Sequence, residues 1–329
     1  MEVSRLLSFG SAFVLLVGAS TRIALATGAD PPVASLPASI EPASGTTPSP
    51  GSPDQGAGVG MASLSLAGKS KICVPPLEVP DRDDDFRRNA QDLSNPDLCI
   101  TVDQFEEGGR PWTLEIIRNR KRASGPLWAV PHDNEHAAFD SAVYGLTKYG
   151  GTVVAVETGG QRYNYGQDPN RNFGLGPCPL QHAPAPVYTQ AFMSHHDARY
   201  PIIALHTNAG YEGRSRISIS EPGPDDHAFP GLHPAGRLAN EHTLVYVASL
   251  LEPQQDPELV SVVKSLNKAG INVVYEHVTS AQNDCSMSNY AAFNGIRNYF
   301  NVEVEHGDSI TQKMIIDVIM KLIVYWNID

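Results

Sequence analysis

The chain has 329 residues, of which 41% are hydrophobic and 18% charged. That is enough apolar material for one substantial α/β core or two small ones. The formal charge of −12 leaves no basic footprint for nucleic acid or an anionic membrane surface, and it points to solubility rather than to a substrate.

Residues 1–26 read as a secretory signal peptide. Arg5 gives a positive start, Phe9 to Ala19 form a short apolar run, and Ala24-Leu25-Ala26 place small residues at the cleavage positions. Gly10 and Ser11 interrupt the run, so an uncleaved anchor is the weaker alternative. No later segment reaches the ~20 apolar residues that a spanning helix needs. Residues 27–69 are Pro, Ala, Ser and Gly with few large apolar side chains. Such a stretch cannot bury enough surface to offset its conformational entropy, and a disordered linker is expected. A loop-rich segment, 70–112, then leads into the main folded domain over 113–329. The expected location is secreted or periplasmic, with no stable membrane span in the mature protein.

Export to an oxidising compartment makes two disulfides the expectation for Cys73, Cys99, Cys178 and Cys285. Of the three pairings, Cys73 with Cys99 is preferred because both lie in the leading segment. Cys178 with Cys285 would then join two loops. None of the four has CxxC spacing, which argues against a cysteine zinc site or a thioredoxin-type redox pair.

Short runs rich in β-branched residues predict strands at 113–117, 127–130, 152–156, 202–205, 243–248, 271–275 and 299–304. Helical patterns fall at 135–148, 257–269, 288–298 and 309–325, the last with apolar Ile315, Ile319, Leu322 and Tyr325 on one stripe. Gly270 marks the end of the second. This alternation predicts an α/β fold with a mixed, mostly parallel central sheet and helices on both faces. In such sheets functional groups collect where loops leave the carboxyl ends of strands.

Four polar groups of residues fall at such ends. Pro131-His132-Asp133-Asn134-Glu135 follows the strand 127–130, so an imidazole and a carboxylate three residues apart can converge on one ion. The HxxE pair alone is weak, since about half a match is expected by chance in this composition. His206 ends the apolar run Pro201 to Leu205; it is either a packing residue or a third ligand that leaves a position open for water. Arg162-Tyr163 and Asp168-Pro169-Asn170-Arg171-Asn172-Phe173 offer guanidinium forks for a carboxylate or a developing oxyanion, or else form a polar loop with surface ion pairs. Glu303 and Glu305 alternate on a late apolar strand, so they share a face. A catalytic carboxylate explains them, and so does a strand end emerging into solvent.

In this order the four pieces resemble the carboxypeptidase A-type zinc metallopeptidase superfamily, including its succinylglutamate desuccinylase and aspartoacylase branch. The resemblance spans roughly residues 113–325. It implies a zinc ion held by His132, Glu135 and His206, with Glu303 or Glu305 as general base. Val302-Glu303-Val304 fits the family's flanking residues better, which favours Glu303. It also implies Arg162 on the oxyanion, and Asn170 with Arg171 on a substrate carboxylate. Arg162-Tyr163 is closer to the acylase branch. Two departures stand out. The 71 residues from Glu135 to His206 are fewer than digestive-type carboxypeptidases leave. There is also no room after Glu305 for the β-domain of an aspartoacylase.

The implied activity is cleavage of an amide next to a free carboxylate, by a carboxypeptidase-like zinc hydrolase. Its substrates would be peptides or N-acyl amino acids, and in a bacterium export would put peptidoglycan peptides among them. An N-acyl-amino-acid amidohydrolase is the nearest alternative, and a non-catalytic zinc or peptide-binding module is the second. A serine hydrolase is disfavoured by the lack of a G-x-S-x-G elbow. His136, His195, His196, His242, His277 and His306 are expected to be surface or supporting residues.

Overall fold

The structure, a computed structural model, describes residues 72–80, 84–174, 178–179, 185–208 and 217–325, with backbone alone for 324–325. The chain divides into two units, Met1–Met61 and Ala62–Asp329, and the described residues belong to the second. The expected signal peptide and linker lie outside them.

In chain order the elements are α1 (Asp85–Arg88), α2 (Ala90–Leu93), β1 (Leu98–Glu107), β2 (Arg110–Asn119), β3 (Leu127–Val130), α3 (His136–Tyr149), β4 (Thr152–Val156), α4 (Pro186–Met193) and β5 (Ile202–Asn208). There follow β6 (His227–Phe229), β7 (Leu244–Ser249), α5 (Pro257–Lys268), β8 (Asn272–His277), α6 (Met287–Phe293), β9 (Tyr299–Glu305) and α7 (Ser309–Tyr325). The strands form one sheet in the order β1-β2-β4-β3-β5-β9-β7-β8-β6.

The sheet is mixed rather than mostly parallel. β3–β4, β3–β5, β5–β9 and β7–β8 pair parallel, whereas β1–β2, β2–β4, β7–β9 and β6–β8 pair antiparallel. Part of the difference comes from residues 70–112, which are not simply loop-rich. β1 lies there and pairs with β2 from Leu98↔Asn119 to Glu107↔Arg110. Their hairpin turns at Gly108 and Gly109, both at positive φ (62° and 72°), as a two-residue turn of this hand requires. Asp103, Gln104, Glu106 and Glu107 make β1 too polar to stand out by hydropathy.

Alternation along the strands sends side chains to two cores. One face packs against Phe139, Val143 and Leu146 of α3, Leu259, Val263 and Leu266 of α5, and Ile315, Ile316 and Ile319 of α7. The other packs against Tyr188 and Phe192 of α4 and Met287 and Ala291 of α6. Helices therefore cover both faces, as the apolar periodicities require. Cys73 is bonded to Cys99 and Cys178 to Cys285, the expected pairing.

β3 has β4 on one side and β5 on the other, and both connections leave from the carboxyl ends of parallel strands. The crevice at such a switch point is where ligands bind in open α/β sheets.

Candidate metal centre

β3 ends at Val130, and the chain turns through His132 to Glu135 before α3 begins. The Glu135 N–H donates to the His132 carbonyl at 3.2 Å, which folds both side chains to one side. His206 lies inside β5, beside Glu303 of β9 in the parallel register. Three adjacent strands thus deliver His132 with Glu135, His206 and Glu303 to one pocket of about 450 Å³.

His132, Glu135 and His206 are all buried, and their ligand atoms converge. His132 Nδ1 lies 3.0 Å from Glu135 Oε1 and 3.2 Å from His206 Nδ1, and His206 Nδ1 lies 3.4 Å from Glu135 Oε2. Two nitrogens each ~2.0 Å from a tetrahedral ion stand about 3.3 Å apart, so the spacing is that of three ligands around one small cation. Burial raises the carboxyl pKa of Glu135, yet the two histidines outweigh it and hold that pKa well below the ordinary carboxylate range. A carboxylate between two imidazoles is the donor set for a divalent metal of intermediate softness. The group fits its residues.

Around the three lies a supporting layer. His132 Nε2 is 2.7 Å from Asp168 Oδ1. Burial depresses the His132 pKa, but Glu135 and Asp168 outweigh it and leave it raised. The Thr207 N–H donates to Glu135 Oε2 at 2.8 Å. Asn170 is buried with its amide engaged at both ends: Oδ1 accepts the Met287 N–H at 3.0 Å, and Nδ2 faces His206 Nε2 at 3.4 Å. Buried Gln312 of α7 donates to the carbonyls of His206 and Val302, tying β5 to β9 under the site.

Arg162 reaches Glu135 Oε1 at 2.7 Å and lies 3.6 Å from Asp168 Oδ2. Arg171 lines the same pocket, its Nε 3.0 Å from Asp284. Glu303 lines it too, 5% exposed, accepting from Asn301 Nδ2 at 3.2 Å. Burial raises its pKa, and the Glu135 carboxylate adds to the rise. Glu305, two residues on, is exposed at the strand end and outside the pocket lining. Of the other histidines, His306 lines the pocket, 3.2 Å from Thr207 Oγ1. His136, His195, His196, His242 and His277 pair elsewhere, with Asp85, Arg118, the Tyr200 carbonyl, the Ile217 carbonyl and Glu252.

Sequence reasoning placed Asp168 in a substrate loop and missed its contact with His132. The signal was there: a ligating histidine hands its second ring nitrogen to a carboxylate, and Asp168 opens the loop that carries Asn170 and Arg171. Thr207 and Gln312 left no comparable trace.

No protein-family model matches the chain, and no curated protein does. Among solved structures it is similar to a Shewanella amazonensis SB2B protein described as a candidate metallopeptidase. The identity is 13% over 74% of this chain and 89% of that one, with a TM-score of 0.39. A Shewanella baltica OS155 protein of the same description is similar at 13% identity over 75% and 92%, with a TM-score of 0.42. Likeness at this level carries no weight in the functional reading, which rests on the residues.

Proposed function

We propose that the chain is a zinc-dependent hydrolase that cleaves an amide bond next to a free carboxylate, in the manner of a carboxypeptidase. The observation that carries this reading is the convergence of His132 Nδ1, Glu135 and His206 Nδ1 to within 3.4 Å of one another, with a buried carboxylate, Glu303, in the same pocket wall.

Zinc held there supplies Lewis acidity toward a substrate carbonyl and toward water. Glu303 takes the proton from the attacking water and returns it to the leaving amine. Its raised pKa suits a group that must hold that proton briefly. Arg162 faces the negative charge that develops on the carbonyl oxygen. Arg171, with Asn170 beside it, holds the substrate carboxylate through its guanidinium fork. Peptides with a free C-terminus are the preferred substrates, with N-acyl amino acids second. The two disulfides fit an oxidising compartment, and no helix among the described residues is long and apolar enough to cross a membrane. We place the enzyme outside the cytoplasm, where in a bacterium peptidoglycan peptides would meet it.

The test is metal content together with turnover. The wild type is expected to carry about one zinc per chain, and His206→Ala to carry almost none. Glu303→Gln is expected to keep the metal and lose about 10²- to 10⁴-fold in kcat. A wild type that stays metal-free after incubation with zinc would end this reading.

A further inference from the structure

We propose that a second cavity, next to the metal pocket, binds a neutral saccharide. It measures about 510 Å³ and opens at the ends of β1, β2 and β4, with Gln104, Trp112, Glu157, Gln161, Tyr163 and Tyr165 in its walls. Tyr163 lines both compartments.

The lining chemistry selects the ligand. Among the described residues no Lys, Arg or His lines this cavity, and Glu157 is its one acidic side chain, so an anionic ligand has nothing to pair with. Tyr163 and Tyr165 are 53% and 69% exposed, and Tyr165 sits at φ 48° in the left-handed region, uncommon for an aromatic residue. Two large rings held at a polar rim are apolar area that a ligand face can cover. The side-chain amides of Gln104 and Gln161 make no hydrogen bond to another described residue. An amide both donates and accepts. A pyranose ring matches this set: a C–H face lies against a tyrosine ring while neighbouring hydroxyls pair with the amides and the Glu157 carboxylate.

The loop that forms the boundary alternates between the two compartments. Gln161 belongs to the second cavity, Arg162 to the metal pocket, and Tyr163 to both. A ligand that fills both is a sugar joined to a peptide, with the amide at the metal. This second step rests on the hydrolase reading; saccharide binding does not.

The experiment titrates chitotetraose and maltotetraose into the full chain by calorimetry, for wild type, Tyr165→Ala, Gln161→Ala and His206→Ala. Either sugar is expected to bind wild type and His206→Ala alike. Tyr165→Ala and Gln161→Ala are expected to bind about tenfold more weakly with unchanged circular dichroism. Unchanged binding in both cavity variants, or binding of neutral peptides but neither sugar, overturns the proposal. Equal cleavage of a peptide and its glycosylated form by wild type overturns the second step while leaving the hydrolase reading intact. Sugar binding with no hydrolysis of any peptide overturns the hydrolase reading and the second step with it, and leaves saccharide binding standing.

Discussion

Asp168 holds the outer nitrogen of His132 at 2.7 Å while its other oxygen faces Arg162. Asp168→Asn keeps the shape and removes the charge that fixes the imidazole, so affinity for zinc should fall about 10- to 100-fold, read by competition with a chelator. Glu276, in β8, accepts from Asn289 Nδ2 at 2.6 Å, and burial pushes its carboxyl up to about 8, with Asp226 and Asp284 adding to the rise. A carboxyl raised above its unfolded value of about 4.3 favours folding while protonated. Its contribution is full below that value and is lost as pH rises through about 8. The melting temperature should therefore fall between pH 5 and 8, and fall less in Glu276→Gln; parallel curves for the two proteins would exclude this carboxyl as the source. The three proposed ligands are legible because each follows an apolar run, Leu127–Val130 or Pro201–Leu205. The resemblance already favours Glu303 over Glu305, and the register adds that Glu303 sits beside His206 while Glu305 is exposed.

At the scale of elements, α3 shows how close packing constrains sequence. A Cβ at Gly145 would meet the Trp128 ring at 2.8 Å, and Trp128 is held by its Nε1 donating to the Gly150 carbonyl at 2.9 Å. The indole cannot swing aside without losing that bond. Gly145→Ala is expected to destabilise by about 1–3 kcal/mol, despite the better helix propensity of alanine, measured as a lower urea midpoint at unchanged slope. The buried strands β3 and β4 and helix α7 announced their limits by uninterrupted apolar runs or a 3.6-residue stripe. β1 did not, because Asp103, Gln104, Glu106 and Glu107 make its second half polar. β6, three residues with no fully buried side chain, carries too little apolar signal to detect. α4 carries no helix assignment from the sequence, because Pro184 and Pro186 at its start are turn residues.

Across the whole molecule, the Cys178–Cys285 bridge spans 107 residues of sequence. It lies where the Phe173 N–H donates to the Cys285 carbonyl at 2.8 Å, just after the loop bearing Asn170 and Arg171. Replacing both cysteines by serine should cost about 2–5 kcal/mol of stability, seen in denaturant titration. It should also raise KM more than it changes metal content, since the ligands lie on other elements. The alternation of strands and helices fixed the fold class from composition and period alone. The direction of half the strand pairings was out of reach, because period-2 alternation is the same for parallel and antiparallel neighbours.

Between the two proposed ligands of the HxxE turn stands Asp133, whose side chain leaves in another direction. Its Oδ2 accepts the N–H groups of Thr158 and Gly160 at 2.6 and 2.8 Å, and Gly159 and Gly160 take left-handed backbone to present them. The turn that would grip the ion thus also fastens the strap bearing Gln161, Arg162 and Tyr163. Thermodynamic linkage works in both directions: an ion that steadies the turn steadies the strap, and a ligand that steadies the strap tightens the grip on the ion. Amide exchange at Thr158 and Gly160 should slow when zinc is added, and a saccharide bound against Tyr163 should slow the loss of zinc to a chelator.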